Sequence, residues 1–312
     1  MRTPITIEKR VYGPPPTVGR DYRDDRSKSA EEAKKQLDKI RNTGHSRARS
    51  GARVLLPARD GCVFVVSDQH YCPGLEPSPV HKSSIILAKR LKPYAIVSNG
   101  DAIDGASISR WPVSSFTELG DRPGVSVELA ETANRLREYE ALKFVQFLVW
   151  NLGNHDARFE TRLAEKVPEY SGVNGTTLKD HFPGWLPAWA TWMMPAGGST
   201  QPEVVIKHRF KSGVYGASNS ALWSGTSMVT GHDHKLWVKP ISDYRGLRWG
   251  IDAGTVSDVY SPHFLNYTED NPQDWQSGFV ILHFRGGKFT GPELVWGMPD
   301  GKVLFRGEVI KA

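Results

Sequence analysis

Phe147-Leu148-Val149-Trp150-Asn151-Leu152-Gly153-Asn154-His155-Asp156 passes from an apolar run to a polar one through a glycine. Phe147 to Trp150 is a continuous apolar run, so it predicts a strand buried on both faces. Asp156 to Val167 predicts a helix. The same reading extends upstream. Cys62-Val63-Phe64-Val65-Val66 and Tyr94-Ala95-Ile96-Val97 are two further buried strands, with a helical stretch from His81 to Leu91 between them. After a loop from Gly105 to Ser126, Val127 to Lys143 carries Leu129, Ala133, Leu136 and Tyr139 on one helical face. This alternation of strand and helix predicts an α/β core. Downstream, Val204-Val205-Ile206 and Ser227-Met228-Val229 read as strands, and residues 236–310 as strands joined by turns. Gly184 to Met194 collects Trp185, Trp189 and Trp192, read as a small apolar subcluster or an oligomer contact rather than a lid or a stacking platform for bases. No internal repeat is found.

Composition narrows the function classes. The chain has 312 residues, 39% hydrophobic and 24% charged, which excludes wholesale disorder. No apolar run approaches the roughly 18–20 residues that span a bilayer, and residues 1–20 have no apolar core of a secretory signal. Two cysteines, Cys62 and Cys72, are too few for a disulfide framework or a zinc cage, so a reducing cytoplasm is expected. The net charge of +6 is unevenly spread. Residues 1–50 hold 13 of the 40 Lys/Arg and 7 of the 34 Asp/Glu, so the remainder is balanced. Residues 1–52 therefore read as a basic arm, extended at Pro14-Pro15-Pro16, with one short helix from Ser29 to about Asn42 and a basic linker after Gly44. Residues 53–312 form the folded domain. The arm either attracts DNA or RNA backbones or is a solvated leader.

Polar donors follow five of the apolar runs. They are Ser67-Asp68-Gln69-His70, Asn99-Gly100-Asp101-Ala102-Ile103-Asp104, Gly153-Asn154-His155-Asp156, Lys207-His208-Arg209 and Gly231-His232-Asp233-His234. Ligands of α/β sheets bind at the carboxyl ends of strands, so five strand ends would deliver these groups to one edge. Imidazole suits zinc, iron and manganese, and carboxylate or amide oxygens suit manganese and magnesium. The set is large enough for two divalent ions, which can share ligands at about 3.5–4 Å. Gly100, Gly153 and Gly231 each precede a donor, at turns where the backbone bends sharply or comes close to the ligand.

In order, Asp-x-His, Gly-Asp-x-x-Asp, Gly-Asn-His-Asp, His and Gly-His-x-His resemble the motifs of the calcineurin-like metallophosphoesterases, over about Val63 to Leu236. The wording GDAIDGASISRWP, residues 100–112, also resembles proteins of bacterial viruses and prophages. The family resemblance implies a four-layer α/β/β/α sandwich of two mixed β-sheets flanked by helices. It implies that Asp68, His70 and His234 hold one metal, that Asn154, His208 and His232 hold the other, and that Asp101 bridges them. His155 would contact the phosphate and protonate or stabilise the leaving oxygen, oriented by Asp156 or Asp104. A hydroxide bridging the ions would attack in line, without a covalent intermediate. Manganese is the expected metal, with iron, zinc, magnesium or nickel as alternatives.

The family's fourth motif often reads His-Gly, whereas Arg209 follows His208 here. Between His155 and His232 the other histidine is His181, but it lies in a polar stretch, so His208 is taken as the ligand. Arg158, Arg110 and Arg209 are candidate phosphate contacts. The expected activity is phosphodiesterase or nuclease. A phosphomonoesterase acting on nucleotides or proteins is the alternative, as is a non-catalytic DNA-associated assembly protein on an esterase fold. The expected location is cytoplasmic, in the host if the gene is viral. Membrane partners are excluded, and oligomeric state is left open.

Overall fold

Each residue of β2 (Gly61–Val66) after the first is buried, and successive side chains enter different cores. Val63 and Val65 point into a cluster with Val97, Val149, Val204, Ile206, Val229 and Ile251. Phe64 and Val66 point into a second cluster with Ile96, Trp150, Leu87, Leu136 and Tyr139. A strand covered on both faces needs no alternation, which is why the run is continuously apolar. Full burial of each such side chain stabilises the fold by about 1.5–3 kcal/mol.

The computed structural model describes residues 53–109, 122–196, 199–261, 264, 268 and 273–311. All lie within one unit, Ser50–Ala312. The arm read over residues 1–52, Arg110 and most of the loop before the second helix lie outside the described residues.

The parallel strands β2, β3 (Ala95–Ser98), β4 (Phe147–Asn151) and β5 (Leu186–Ala188) form half of an eight-stranded sheet. The other half is antiparallel: β11 (Gly278–Arg285) pairs with β2, followed by β12 (Lys288–Gly297), β13 (Val303–Phe305) and β14 (Glu308–Ile310). The second sheet has six strands in the order β1 (Val54–Pro57), β6 (Thr191–Met194), β7 (Val204–Ile206), β8 (Ser227–Thr230), β10 (Gly246–Ala253) and β9 (Leu236–Asp243). It too is mixed, since β7 and β8 are parallel while β6 and β7 are antiparallel.

Helices α1 (Pro79–Leu91), α2 (Val125–Glu140) and α3 (Asp156–Lys166) cover the outer face of the larger sheet. The α1 start is conventional: Ser78 Oγ accepts from the His81 amide at 3.0 Å, and Pro79 opens the first turn. A short helix, α4 (Leu178–His181), follows α3, and α5 (Gly216–Ser224) packs on β10 and β8 of the smaller sheet. The layers are therefore α/β/β/α. Among the described residues no helix is long and apolar enough to cross a membrane.

Two regions differ from the sequence reading. The tryptophan-rich stretch is the crossover between sheets, with β5 in one and β6 in the other. Trp185 is fully buried against Tyr139, and Trp192 lies under the Arg53 guanidinium at 3.8 Å. Strands of three or four residues are too short to display a period. Helix α5 is also not legible in the sequence, because GASNSALWS is rich in poor helix formers; Ala217 and Ala221 packed on the sheet hold it.

Candidate metal centre

The carboxyl ends of β2, β3, β4, β7 and β8 converge at one edge of the sandwich. There the donor atoms of three residue groups lie within 4.8 Å of one another: Asp68, His70 and His234; His70, Asp104 and His155; and Asp101, His208 and His232. In the first group His234 Nε2 is 3.2 Å from Asp68 Oδ1 and 3.4 Å from His70 Nε2. In the third, His208 Nε2 is 3.2 Å from Asp101 Oδ2 and 3.3 Å from Asn154 Oδ1. Asn154 thus joins the His208 side.

Ring orientation is fixed from behind. His208 Nδ1 donates to the Asn99 carbonyl at 2.7 Å, leaving Nε2 to face two oxygens. His70 Nδ1 donates to Asp104 Oδ1 at 3.1 Å, leaving its Nε2 to face His234. Lone pairs crowded this way repel unless a proton or a cation lies among them. The electrostatics agree. Burial works against a charged imidazole at His208, yet Asp101 and Asp68 raise its pKa to about 10. Burial likewise opposes the Asp101 carboxylate, yet His208 and His155 hold it well below the ordinary range. The pocket is desolvated and holds its carboxylates beside imidazoles, and its oxygen and imidazole donors fit divalent ions such as manganese, iron or zinc.

The backbone is bent into place at a cost. Asp68, His70, Asp101, His232 and His234 all have positive φ, between 42° and 74°. Among the described residues only Lys92 and Arg306 share this among non-glycines. Strain of about 1 kcal/mol or more per residue collects at functional sites and persists where the surroundings enforce it. Here Thr255 and Ser257 hydroxyls hold the Asp68 carbonyl, and the Asp68 carboxylate accepts from the His232 amide at 3.0 Å.

His155 sits between the two halves. Its Nδ1 donates to the Asp104 carbonyl at 2.6 Å, and Arg158 Nη2 donates to its Nε2 at 3.0 Å. Burial lowers its pKa to about 4, partly offset by Asp101, so the ring is neutral as arranged. Asp156 has a different place from the one expected. Its carboxylate accepts from the amides of Asp101 and Gly153 at 2.8 Å, from that of Ile103 at 3.0 Å and from Trp150 Nε1 at 3.1 Å. With its oxygens committed to three backbone amides and the Trp150 ring, it ties two motif loops together and has no contact with the His155 ring among these bonds. Asp104 orients that ring, through its carbonyl, while its carboxylate serves His70.

Among the arginines, Arg158 touches the site, Arg209 is exposed beside it with its charge acting on His232, and Arg110 lies outside the described residues. His181 is elsewhere, donating to the Gly175 carbonyl at 2.8 Å and edge-on to the Phe159 ring. Sequence reasoning passes over Asn99 and Asn151, whose side chains join at 3.0 Å beneath the site, although both end apolar runs. It also passes over Phe264 and Trp275, whose rings abut His234, because nothing local marks them.

The motif glycines are required for room. A Cβ at Gly153 would overlap Asp101, and one at Gly100, where φ is +92°, would overlap the His208 ring. Gly153→Ala is expected to lower stability by about 1–3 kcal/mol, the usual penalty for overpacking. Urea unfolding with the metals chelated measures it, and an unchanged midpoint would contradict the packing argument.

Comparison with known proteins agrees with this geometry. The sequence profile described as "Calcineurin-like phosphoesterase" matches residues 63–263. The chain belongs to the calcineurin-like phosphoesterases. Members of this family are metal-dependent hydrolases of phosphate esters built around a dinuclear metal centre, and this chain is such a phosphoesterase. It is similar to the Gene 54 protein of Mycobacterium phage D29, 27% identical over 225 residues, covering 65% of this chain and 82% of that protein. The Gene 54 protein of Mycobacterium phage L5 is 26% identical over 222 residues, with the same coverage. Among solved structures, Vps29 from Entamoeba histolytica aligns with a TM-score of 0.38 at 13% identity, covering 80% of this chain and 96% of that one.

Proposed function

We propose that this phosphoesterase cleaves phosphodiesters, with nucleic acid as its substrate class and manganese as its metal. Asp68, His70 and His234 would hold one ion and Asn154, His208 and His232 the other, with Asp101 as their shared ligand. The observation that carries the metal assignment is the crowding of lone-pair donors around Asp101, His208 and His234, in a pocket where Asp68, His70, Asp101, His232 and His234 are held at positive φ. Bound there, the two ions neutralise phosphate charge and supply an activated water nucleophile at neutral pH.

The chain's own groups do the rest. His155 faces the leaving oxygen. The negative charge of a bound phosphate raises its depressed pKa, so that it can donate a proton. Asp104 keeps that ring and the His70 ring in register. Arg158 supplies a guanidinium beside His155, but its donors are already shared with the Asp104 and Gly105 carbonyls. The basic excess of residues 1–50 supports nucleic acid, with that arm as a tether, and the similarity to phage proteins supports action in the host cytoplasm.

Hydrolysis of bis(4-nitrophenyl) phosphate beside 4-nitrophenyl phosphate, with manganese supplied, tests this. Faster, chelator-sensitive diester turnover is expected. Faster monoester turnover would make the chain a phosphomonoesterase, and no turnover with any divalent ion would sink the catalytic assignment. Asp104→Ala separates its two contacts, since the carbonyl to His155 remains while the carboxylate to His70 is lost. Manganese affinity should fall by about 10–100-fold, the usual effect of losing a partner behind a ligand. A competition titration that finds unchanged affinity would contradict it.

A further inference from the structure

After His208 the chain runs Arg209-Phe210-Lys211-Ser212-Gly213-Val214-Tyr215 into α5, which ends Leu222-Trp223-Ser224. Phe210, Tyr215 and Trp223 are 42%, 66% and 74% exposed, although a folded chain usually buries such rings. Lys211 brings Phe210 and Trp223 together, and Tyr215 stands at the start of the helix that carries Trp223. The Lys211 ammonium lies 4.2 Å over the Trp223 ring and 5.5 Å from that of Phe210. The Lys211 amide donates to Ser220 Oγ at 3.1 Å, which fastens the loop to α5.

This surface is tied to the metal centre. Asp233, between His232 and His234, accepts from the Gly213 amide at 2.8 Å, and a Cβ at Gly216 would strike the same carboxylate. Asp233 therefore faces away from the donors and anchors the loop. Beyond the inward-turned Asp233, the segment's own charge is positive. From Lys207 to Ser224 the sequence holds Lys207, Arg209 and Lys211 and no acidic residue. Cations interleaved with exposed rings match the stacking platform and electrostatic groove of single-strand binders.

We propose that Phe210, Lys211, Tyr215 and Trp223 form a ledge that binds single-stranded nucleic acid leading away from the scissile phosphate. Bases stack on the rings, and Arg209 and Lys211 meet the phosphates. A duplex keeps its base faces stacked internally and gains only the phosphate contacts. The ledge deepens the nuclease reading above and rests on it for the direction of the strand.

The test is fluorescence anisotropy of a labelled single-stranded oligodeoxythymidylate on the full chain, with chelator present so that nothing is cleaved. Trp223→Ala and Tyr215→Ala should each bind about tenfold more weakly, and Trp223→Phe, which keeps a ring, should bind like wild type. Lys211→Gln should lower the salt dependence by about one phosphate contact. Unchanged binding in both alanine variants overturns the ledge, as does wild-type protein that binds no single strand. So does a change in association state by sedimentation, without loss of DNA binding, which would assign the rings to a second copy. Aryl diester hydrolysis is read separately. An inactive wild type with ring-dependent DNA binding removes the nuclease reading and leaves the ledge. An active wild type with ring-independent binding removes only the ledge.

Discussion

Asp101→Asn lowers kcat by on the order of 10³-fold or more, with the fold intact. The two carboxylate oxygens have separate tasks. Oδ1 accepts from the His155 amide at 2.8 Å, and Oδ2 faces His208 Nε2 at 3.2 Å. Asparagine keeps the first task through its carbonyl oxygen, so the turn survives. It loses the second, because an amide NH₂ has no lone pair for a cation. The change also removes the negative charge that most raises the His208 pKa and offsets charge at the centre of the pocket. The loss should exceed the about 10–100-fold typical of groups that act behind a ligand. Steady-state turnover at saturating manganese, beside a thermal melt, measures it. A loss below tenfold in a folded variant would remove Asp101 from the centre.

His155→Ala is expected to cost about 10²–10⁴-fold on a diester with an alkyl leaving group, the range for a general acid. The cost should depend on the leaving group. A nitrophenolate departs without a proton, so its loss should be tenfold or less. Burial pushes the His155 pKa down to about 4, so the neutral ring gains its proton only when phosphate is bound. A parallel series of aryl and alkyl diesters reads this. Equal losses across the series would make His155 a positioning residue rather than a proton donor.

Both substitutions fall on residues that the amino-acid sequence alone marks, and the reason is chemical. The proposed donors are His, Asp and Asn, and in this fold they follow buried strands at their carboxyl ends. An apolar run followed within a few residues by such a donor is legible, as at Val66 to Asp68 and Ile206 to His208. The supporting shell is not. Thr255 and Ser257 reach the Asp68 carbonyl from a loop nearly two hundred residues away, with no local signal. Adjacency to His155 suggests Asp156 as an orienting carboxylate. Its side chain instead turns under the strands, where four donors await it. The fold is legible where strands are long or continuously apolar. It is not at β5, β6 and α5, where tertiary packing rather than local propensity decides.

The most direct test is equilibrium dialysis against manganese, with the bound metal counted per chain. The account predicts two ions per wild-type chain and one or fewer after Asp101→Asn or His208→Ala. Wild-type protein that retains no manganese, or variants that retain the full wild-type count, would contradict a dinuclear centre built from these residues.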